Sequence, residues 1–241
     1  KGIKIFVSDN CSSDKTRSIL EGYKDLKNFK IIFQKYNTGF KNFKILLKMV
    51  KTSWVIPIGS DDYLVDSKFL LNEFQKLNQI SNKKAIGMSF RSFFIYDKNL
   101  IEDRTNLRLC GKKYYRFLKF YLFNGCNSRF YGIIKTKLML KYFPESNFYA
   151  SDVVLTAQIL EHGDWLHTKK VILHREKGLS SDQMKLRNSL GHKGLSAIFP
   201  PTKFLKFLFK LNSAKNILVK FAILTLYIRY SYGPIKHKFM I

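Results

Sequence analysis

Acidic residues are scarce in this chain and stop altogether after Asp182. Seventeen Asp and Glu stand against 43 Lys and Arg, a formal net charge of +26 in 241 residues. The stretch beyond Asp182 carries eleven Lys or Arg interleaved with Phe, Leu and Ile. Such an excess predicts attraction to polyanions, nucleic acid and anionic membrane alike. Cysteine is also rare: Cys11, Cys110 and Cys126 are too few and too scattered for a disulfide framework, and no two have Cys-x-x-Cys metal spacing. A reducing, cytoplasmic setting fits that usage. There is no zinc-finger spacing, no Arg-rich recognition helix and no aromatic motif of the RNA-binding sheets, so no specific nucleic-acid partner is expected. Long apolar runs are missing too, since residues 217–230 are broken by Lys220 and Arg229 and are too short and charged to read as a membrane span. The chain opens at Lys1-Gly2-Ile3 with no Met and no targeting pattern, directly in strand-like sequence, from which an N-terminally incomplete chain is expected. It has no internal repeat and no low-complexity segment.

What is present suits one sizeable core, because 46% of the residues are hydrophobic. The reading is one domain over residues 1–195 with a basic amphipathic helical segment over 196–241. Residues 3–8 form a short β-rich run, 9–14 a polar loop and 14–23 a helix. Residues 30–34 read as a second strand, 37–39 as a turn, and 40–50 as a helix with Phe43, Leu46, Leu47 and Val50 on one face. Residues 54–58 give a third strand. Strand, helix, strand, helix, strand in this order predicts βαβ units and a mostly parallel sheet in an α/β fold. The loops after Val7 and Ile58 then fall at strand carboxyl ends, where Asp9 and the Asp61-Asp62 pair line one crevice. Further on, the pattern predicts a helix at 67–77, strand-like sequence over 85–110, an aromatic helix at 112–123, a strand at 130–135, a helix at 151–161 and a last strand at 165–174.

Gly59-Ser60-Asp61-Asp62 is the most informative group. Two adjacent carboxylates repel, and burial without a counter-charge raises their pKa, so their natural company is a divalent cation or a set of hydroxyls. The alternative is a solvated turn in which one Asp caps the following helix. Lys35, Lys41 and Lys44 near the crevice steer an anion or form a solvated basic face. Phe117, Phe120, Tyr121 and Phe123 offer a stacking platform or, more simply, a helical core stripe.

The run Val7-Ser8-Asp9-Asn10-Cys11-Ser12-Ser13-Asp14-Lys15-Thr16 resembles the first block of the family 2 glycosyltransferases, a strand followed by a Ser/Asp-rich turn. Asn37-Thr38-Gly39-Phe40-Lys41-Asn42 resembles the family's Asn-x-Gly turn and helix. Gly59-Ser60-Asp61-Asp62 resembles its Asp-x-Asp-type metal motif. More thinly, the resemblance extends through Tyr131-Gly132-Ile133-Ile134 and Ser151-Asp152 to His174-Arg175, covering residues 3 to 182. It implies a GT-A, Rossmann-like fold and an inverting transfer from a nucleotide-sugar, with UDP-sugar as the expected donor. It implies that Asp9, with Asn10, Asn37 and Gly39, contacts the nucleoside, that Asp61 meets the ribose or a metal-bound water, and that Asp62 holds Mg²⁺ or Mn²⁺ on the diphosphate. Asp152 matches the catalytic aspartate that takes the acceptor hydroxyl's proton, although Ser151 stands where many members carry Glu; as a plain helix residue it would serve the N-terminus. His174 stands where some members place a further metal or diphosphate contact, with Arg175 and Lys177 beside it; otherwise it is an ordinary surface histidine. Members ordinarily begin with an extra strand, loop and helix before the block at Val7, and their absence here implies impaired folding or little donor binding if the chain starts at Lys1.

The tail places Phe204, Phe207, Leu208 and Leu211 at helical spacing with Lys203, Lys206 and Lys210 beside them. A basic amphipathic segment of this kind lies in the interface of an anionic bilayer, and a lipid-linked saccharide acceptor would put the enzyme on the inner face of the cytoplasmic membrane. The alternative is a helix packed on the domain with its lysines solvated. The expectation is therefore a membrane-associated, metal-binding glycosyltransferase of bacterial surface-polysaccharide synthesis. A basic nucleic-acid-binding protein and a metal-dependent nucleotidyltransferase are the alternatives.

Overall fold

The computed structural model describes residues 3–39, 41–79, 84–96, 99–103, 107–123, 128–145, 148–176 and 202–238. Strand β1 (Ile5–Asp9), helix α1 (Thr16–Glu21) and strand β2 (Phe29–Phe33) form a βαβ unit whose strands pair in parallel, Ile5 opposite Phe29 and Asp9 opposite Phe33. Helix α2 (Lys41–Met49) follows, its periodic apolar positions burying Leu47 and packing Phe43 on the core. Strand β3 is short (Trp54–Val55), β4 is Asp62–Leu64, and α3 runs Ser67–Gln79. The cap of α3 is Asp66, whose Oδ1 accepts the amide of Phe69 at 2.9 Å. Neither Asp61 nor Asp62 serves that purpose.

The larger sheet is built on two long strands, β5 (Ala85–Tyr96) and β8 (Asp164–Glu176), which run parallel. Strand β6 (Asn99–Glu102) folds back on β5; β7 (Ile133–Lys135) joins its other edge, in the order β3-β7-β5-β8-β4. The β3–β7, β5–β7, β5–β6 and β4–β8 pairings are antiparallel. The α/β class and the parallel β1–β2 unit are as expected, whereas a single sheet edge carrying both acidic loops is not found. Trp54 and Val55 pair with Lys135 and Ile134, so β3 belongs to the larger sheet and β1 to the smaller. Residues 62–64, read as loop in the sequence, become a strand because their partner is the distant end of β8.

A register shift between Ala85 and Gly87 on β5, with alternation on β7, divides the buried side chains between two apolar layers. Ala85, Met88, Phe90 and Ile133 pack with Leu70 and Leu77 of α3. Ile86 and Ile134 join a larger cluster built from α4 (Lys113–Phe123), α5 (Thr136–Tyr142) and α6 (Ser151–Leu160). The aromatic stripe Phe117, Phe120 and Tyr121 is fully buried there, and Phe123 is exposed. Helices α7 (Thr202–Phe209) and α8 (Ile217–Lys238) seat Phe204, Leu208, Val219, Ala222, Ile223 and Leu226 in the same cluster. Burying side chains of this size contributes roughly 1.5–3 kcal/mol each, enough to hold both helices on the domain. Among the described residues no helix is long and apolar enough to cross a membrane.

Candidate functional site

Two polar clusters emerge from this frame. The first joins the loops after β1 and β2. Asp9 is buried at the last position of β1 and turns the chain by accepting the Ser12 amide on Oδ1 at 3.2 Å. Asn10 then ties the loops together: its Oδ1 accepts the amide (2.8 Å) and hydroxyl (3.0 Å) of Thr38, and its Nδ2 donates to Asn37 Oδ1 at 2.7 Å. Asn37 Oδ1 also accepts the Gly39 amide at 2.8 Å, closing a turn in which Gly39 has φ +56°, a left-handed conformation open to glycine at little cost. Beneath the turn, Asn42 of α2 accepts from Ser8 Oγ at 2.6 Å and donates to Ser8 O at 3.1 Å. Asp9, Asn10, Asn37 and Gly39, far apart in sequence, are thus part of one rigid rim.

The second cluster is acidic. The Asp62 amide bonds to Gly59 O at 3.3 Å, and the Asp62 carboxylate points back at the Gly59 amide, 3.4 Å from Oδ2. A side chain at Gly59 would stand 2.5 Å from Asp61 Oδ1 and 3.1 Å from Asp62 Oδ2. Glycine therefore leaves open the spot on which one oxygen of each carboxylate converges. The Asp62 side chain is 2% exposed, with Arg175 Nε 3.4 Å from Oδ1, an ionic contact longer than a good hydrogen bond. Burial pushes the Asp62 carboxyl above its ordinary range and neighbouring Asp61 adds to this, while Arg175 pulls the other way and does not prevail. A buried carboxylate left short of positive charge beside a second one is a fitting donor set for a hard divalent ion. Mg²⁺ and its like bind through one or two protein carboxylates and complete their shell with phosphate oxygens and water. Among the described residues no group of three or more His, Cys, Asp or Glu forms a metal cage. Asp61 and Asp62 are the residues that would hold such an ion.

Arg175 faces Asp62 across the β4–β8 ladder, and the alternation of side chains sends His174 to the opposite face. There the His174 ring lies edge-on to Tyr63 (5.7 Å) and Phe93 (5.9 Å). The structure therefore does not bring His174 to the carboxylate pair; its neighbour Arg175 takes that place. The Arg175 guanidinium stacks 3.9 Å from the centre of the Tyr131 ring, lies 5.1 Å from that of Phe94, and donates to Ser128 Oγ at 3.1 Å.

Tyr131 ends a 3₁₀ turn (Ser128–Tyr131) pinned by the fully buried Arg129. Burial pushes the Tyr131 phenol up to about 12, Arg175 opposes, and Asp62, Asp152 and Asp61 all reinforce the rise. Asp152 thus acts on the same phenol as the carboxylate pair. It lies in the first turn of α6, but the cap position is Ala150, in a left-handed conformation (φ 57°) with no side-chain cap bond. The N-cap explanation of Asp152 is removed, while its carboxylate remains favourably placed in the first turn. Sequence reasoning gave no role to Tyr131, Ser128 or Asn42; the pairing of β4 with β8, which places Arg175, exposes the first two, and the bonds to Ser8 expose the third.

Helix α2 connects the two clusters. Asn42 bonds beneath the rim, and the next residue, Phe43, meets Phe130 edge-on at 6.0 Å, immediately before Tyr131. Lys44 of the same helix pairs with Glu145 and Lys41 lies close by, both lining a cavity of about 730 Å³ with Asn37 and Thr38. Lys177 lies outside the described residues.

Solved structures with this architecture include S. aureus TarS 1–349, with a TM-score of 0.67 at 16% identity over 95% of this chain and 64% of that one. TarS 1–349 in complex with UDP-GlcNAc gives 0.66 at 17% identity, covering 95% and 65%. TarS 1–349 in complex with UDP gives 0.60 at 15%, covering 95% and 62%. The chain spans slightly less than two thirds of the length of these relatives, and at such identity the likeness establishes the GT-A-type fold. A comparison with curated proteins gave no match. The profile described as Glycosyl transferase family 2 matches residues 1–133, which include the rim, the acidic pair and Tyr131, and the chain belongs to that family.

Proposed function

We propose that this glycosyltransferase moves a sugar from a UDP-sugar to a hydroxyl of a saccharide or lipid-linked saccharide, with inversion at the anomeric carbon, in surface-polysaccharide synthesis. The observation that carries the reading is the convergence of one oxygen each of Asp61 and Asp62 on the spot that Gly59 leaves open, with Arg175, stacked on Tyr131, 3.4 Å from Asp62. The UDP and UDP-GlcNAc complexes of TarS support the choice of donor.

In this mechanism Asp9, Asn10, Asn37 and Gly39 frame the nucleoside. Asp62, with Asp61 beside it, would hold Mg²⁺ or Mn²⁺, which when bound would supply positive charge to the leaving diphosphate. Arg175 is the chain's own cation beside that position and pairs with phosphate oxygens there. Asp152 takes the proton of the acceptor hydroxyl as it attacks opposite the leaving group. Asp152 lies in the first turn of α6. His174 has no part in this scheme. The same reading locates the enzyme in the cytoplasm, peripheral on the inner face of the cytoplasmic membrane, supported by the basic tail.

A nucleotide-release assay with a panel of UDP-sugars and lipid-linked acceptors, with and without Mn²⁺, tests the proposal. Asp152→Asn is expected to lower kcat by about 10²–10⁴ while UDP affinity stays unchanged. Undiminished turnover in that variant, or no release with any donor, refutes it.

A further inference from the structure

Helix α8 is apolar on two opposite sides, and only one of them is covered. Val219, Ala222, Ile223 and Leu226 point into the core. At about 100° per residue, Ile217, Phe221, Leu224 and Ile228 fall on the far side with Leu218 at its margin. Phe221 is 61% exposed and Ile228 64%, and Ile217, Leu218 and Leu224 are exposed as well. A soluble helix ordinarily turns polar residues outward, and a contiguous apolar stripe left outside marks an interaction surface. The stripe continues onto α4: Arg229 donates to the Tyr121 carbonyl, and just beyond it Leu122 and Phe123 are exposed.

The charge around the stripe selects its occupant. Lys220 borders it on the helix, and Lys210 and Lys215 are exposed at the approach to α8. No acidic residue follows Asp182 anywhere in the sequence. A second copy of the chain would set these lysines against one another between two molecules of net charge +26. An anionic lipid surface complements them and takes up the apolar side chains at the same time.

We propose that the outward face of α8, from Ile217 to Ile228, lies in the interface of an anionic bilayer, with Phe221 and Ile228 inserted and Lys210, Lys215 and Lys220 on the headgroups. This rests on the peripheral-membrane location proposed above and identifies the surface responsible. The placement also bears on catalysis. Tyr230, near the end of the inserted stretch, packs edge-on against Tyr149 at 6.0 Å, and Tyr149 leads directly into the turn before Asp152. A docked α8 therefore holds the base close to the surface from which a lipid-linked acceptor arrives.

The test is co-sedimentation of the full chain with vesicles of phosphatidylcholine alone or mixed with phosphatidylglycerol, alongside F221E/I228E and K210Q/K215Q/K220Q, with the folded state checked by circular dichroism. Wild type is expected to bind the anionic vesicles. F221E/I228E should lose on the order of 100-fold in partitioning, and the lysine variant should bind more weakly with a shallower salt dependence. Wild type that ignores both vesicle types overturns the membrane location itself. Wild type that binds while F221E/I228E binds equally well leaves the location standing and overturns this face. A wild-type dimer that F221E/I228E converts to monomer assigns the stripe to a second copy instead.

Discussion

Replacing Asp62 with Asn separates a residue kept for chemistry from one kept for stability. The amide has the same shape, so packing is preserved and only the charge is lost. In the folded chain Asp62 is nearly inaccessible, its raised pKa reflects burial and Asp61, and Arg175 at 3.4 Å offsets those effects incompletely. The ionised group therefore sits in surroundings that disfavour it at neutral pH. Below the ordinary carboxylate range Asp62 is protonated in both folded and unfolded states and costs nothing. As pH rises through the raised folded pKa, the unfolded chain has already released the proton, and wild type loses stability relative to the variant. Above that window the difference is constant. Asp62→Asn is thus expected to be within about 1 kcal/mol of wild type or more stable at pH 7, the unpaired Arg175 being the opposing cost. Its nucleotide release should fall on the order of 10²-fold or more, because the carboxylate is absent where charge develops on the leaving group. Urea unfolding at pH 4 and pH 7, run beside the nucleotide-release assay, reads both quantities. A variant destabilised by more than about 3 kcal/mol at pH 7 with turnover intact would show Asp62 to be a structural partner of Arg175, and the reasoning would fail.

Asp66→Ala removes the α3 cap and is expected to cost about 1 kcal/mol in urea unfolding with donor turnover unchanged, the reverse of the Asp62 pattern. Asn10→Ala deletes three side-chain bonds that join the loops after β1 and β2; if these frame the nucleoside as proposed, weakening of UDP binding on the order of tenfold in calorimetry, at nearly constant stability, is the expected result. Phe204→Ala empties a fully buried position in α7 and should destabilise the whole domain by about 3–5 kcal/mol in a single unfolding transition. A loss below about 1 kcal/mol would show the tail to be energetically separate.

The sequence carried most of what is local. The period of residues 40–50, the β-rich run at Ile5 and the apolar strand before Gly59 each reflect contacts within one element, and those elements stand within a few residues of their predicted bounds. What it did not carry is pairing between distant segments. Asp62–Leu64 has no strand pattern of its own and is one only because Arg175, His174 and Leu173 lie opposite. That register decided which of two neighbours meets the carboxylates: a one-residue offset turns a side chain to the other face, so His174 and Arg175 could not be told apart from composition. Tyr131, placed in the sequence only within the resemblance of Tyr131-Gly132-Ile133-Ile134, acquires a role for the same reason: the register sets the Arg175 guanidinium over its ring. The tail shows the opposite limit. Helical spacing found the apolar positions, but α8 is apolar on both sides, and periodicity alone does not tell which side faces the protein.

The charge distribution links these parts. A net charge of +26 draws an anionic nucleotide-sugar from a distance, yet the groups nearest the proposed diphosphate position are Asp61 and Asp62. Long-range attraction and short-range repulsion then act on the same ligand. The field raises the encounter rate for any polyanion, whereas under the proposed mechanism the carboxylates would reject one that arrives without a cation to share. A ligand that brings both a diphosphate and a divalent ion satisfies the pair and meets Arg175 on its Tyr131 platform; a bare oligonucleotide phosphate satisfies neither carboxylate. In the proposed mechanism, selectivity for the donor over the nucleic acid that the charge alone would favour would reside in the two carboxylates, and added salt should slow donor capture without abolishing the discrimination.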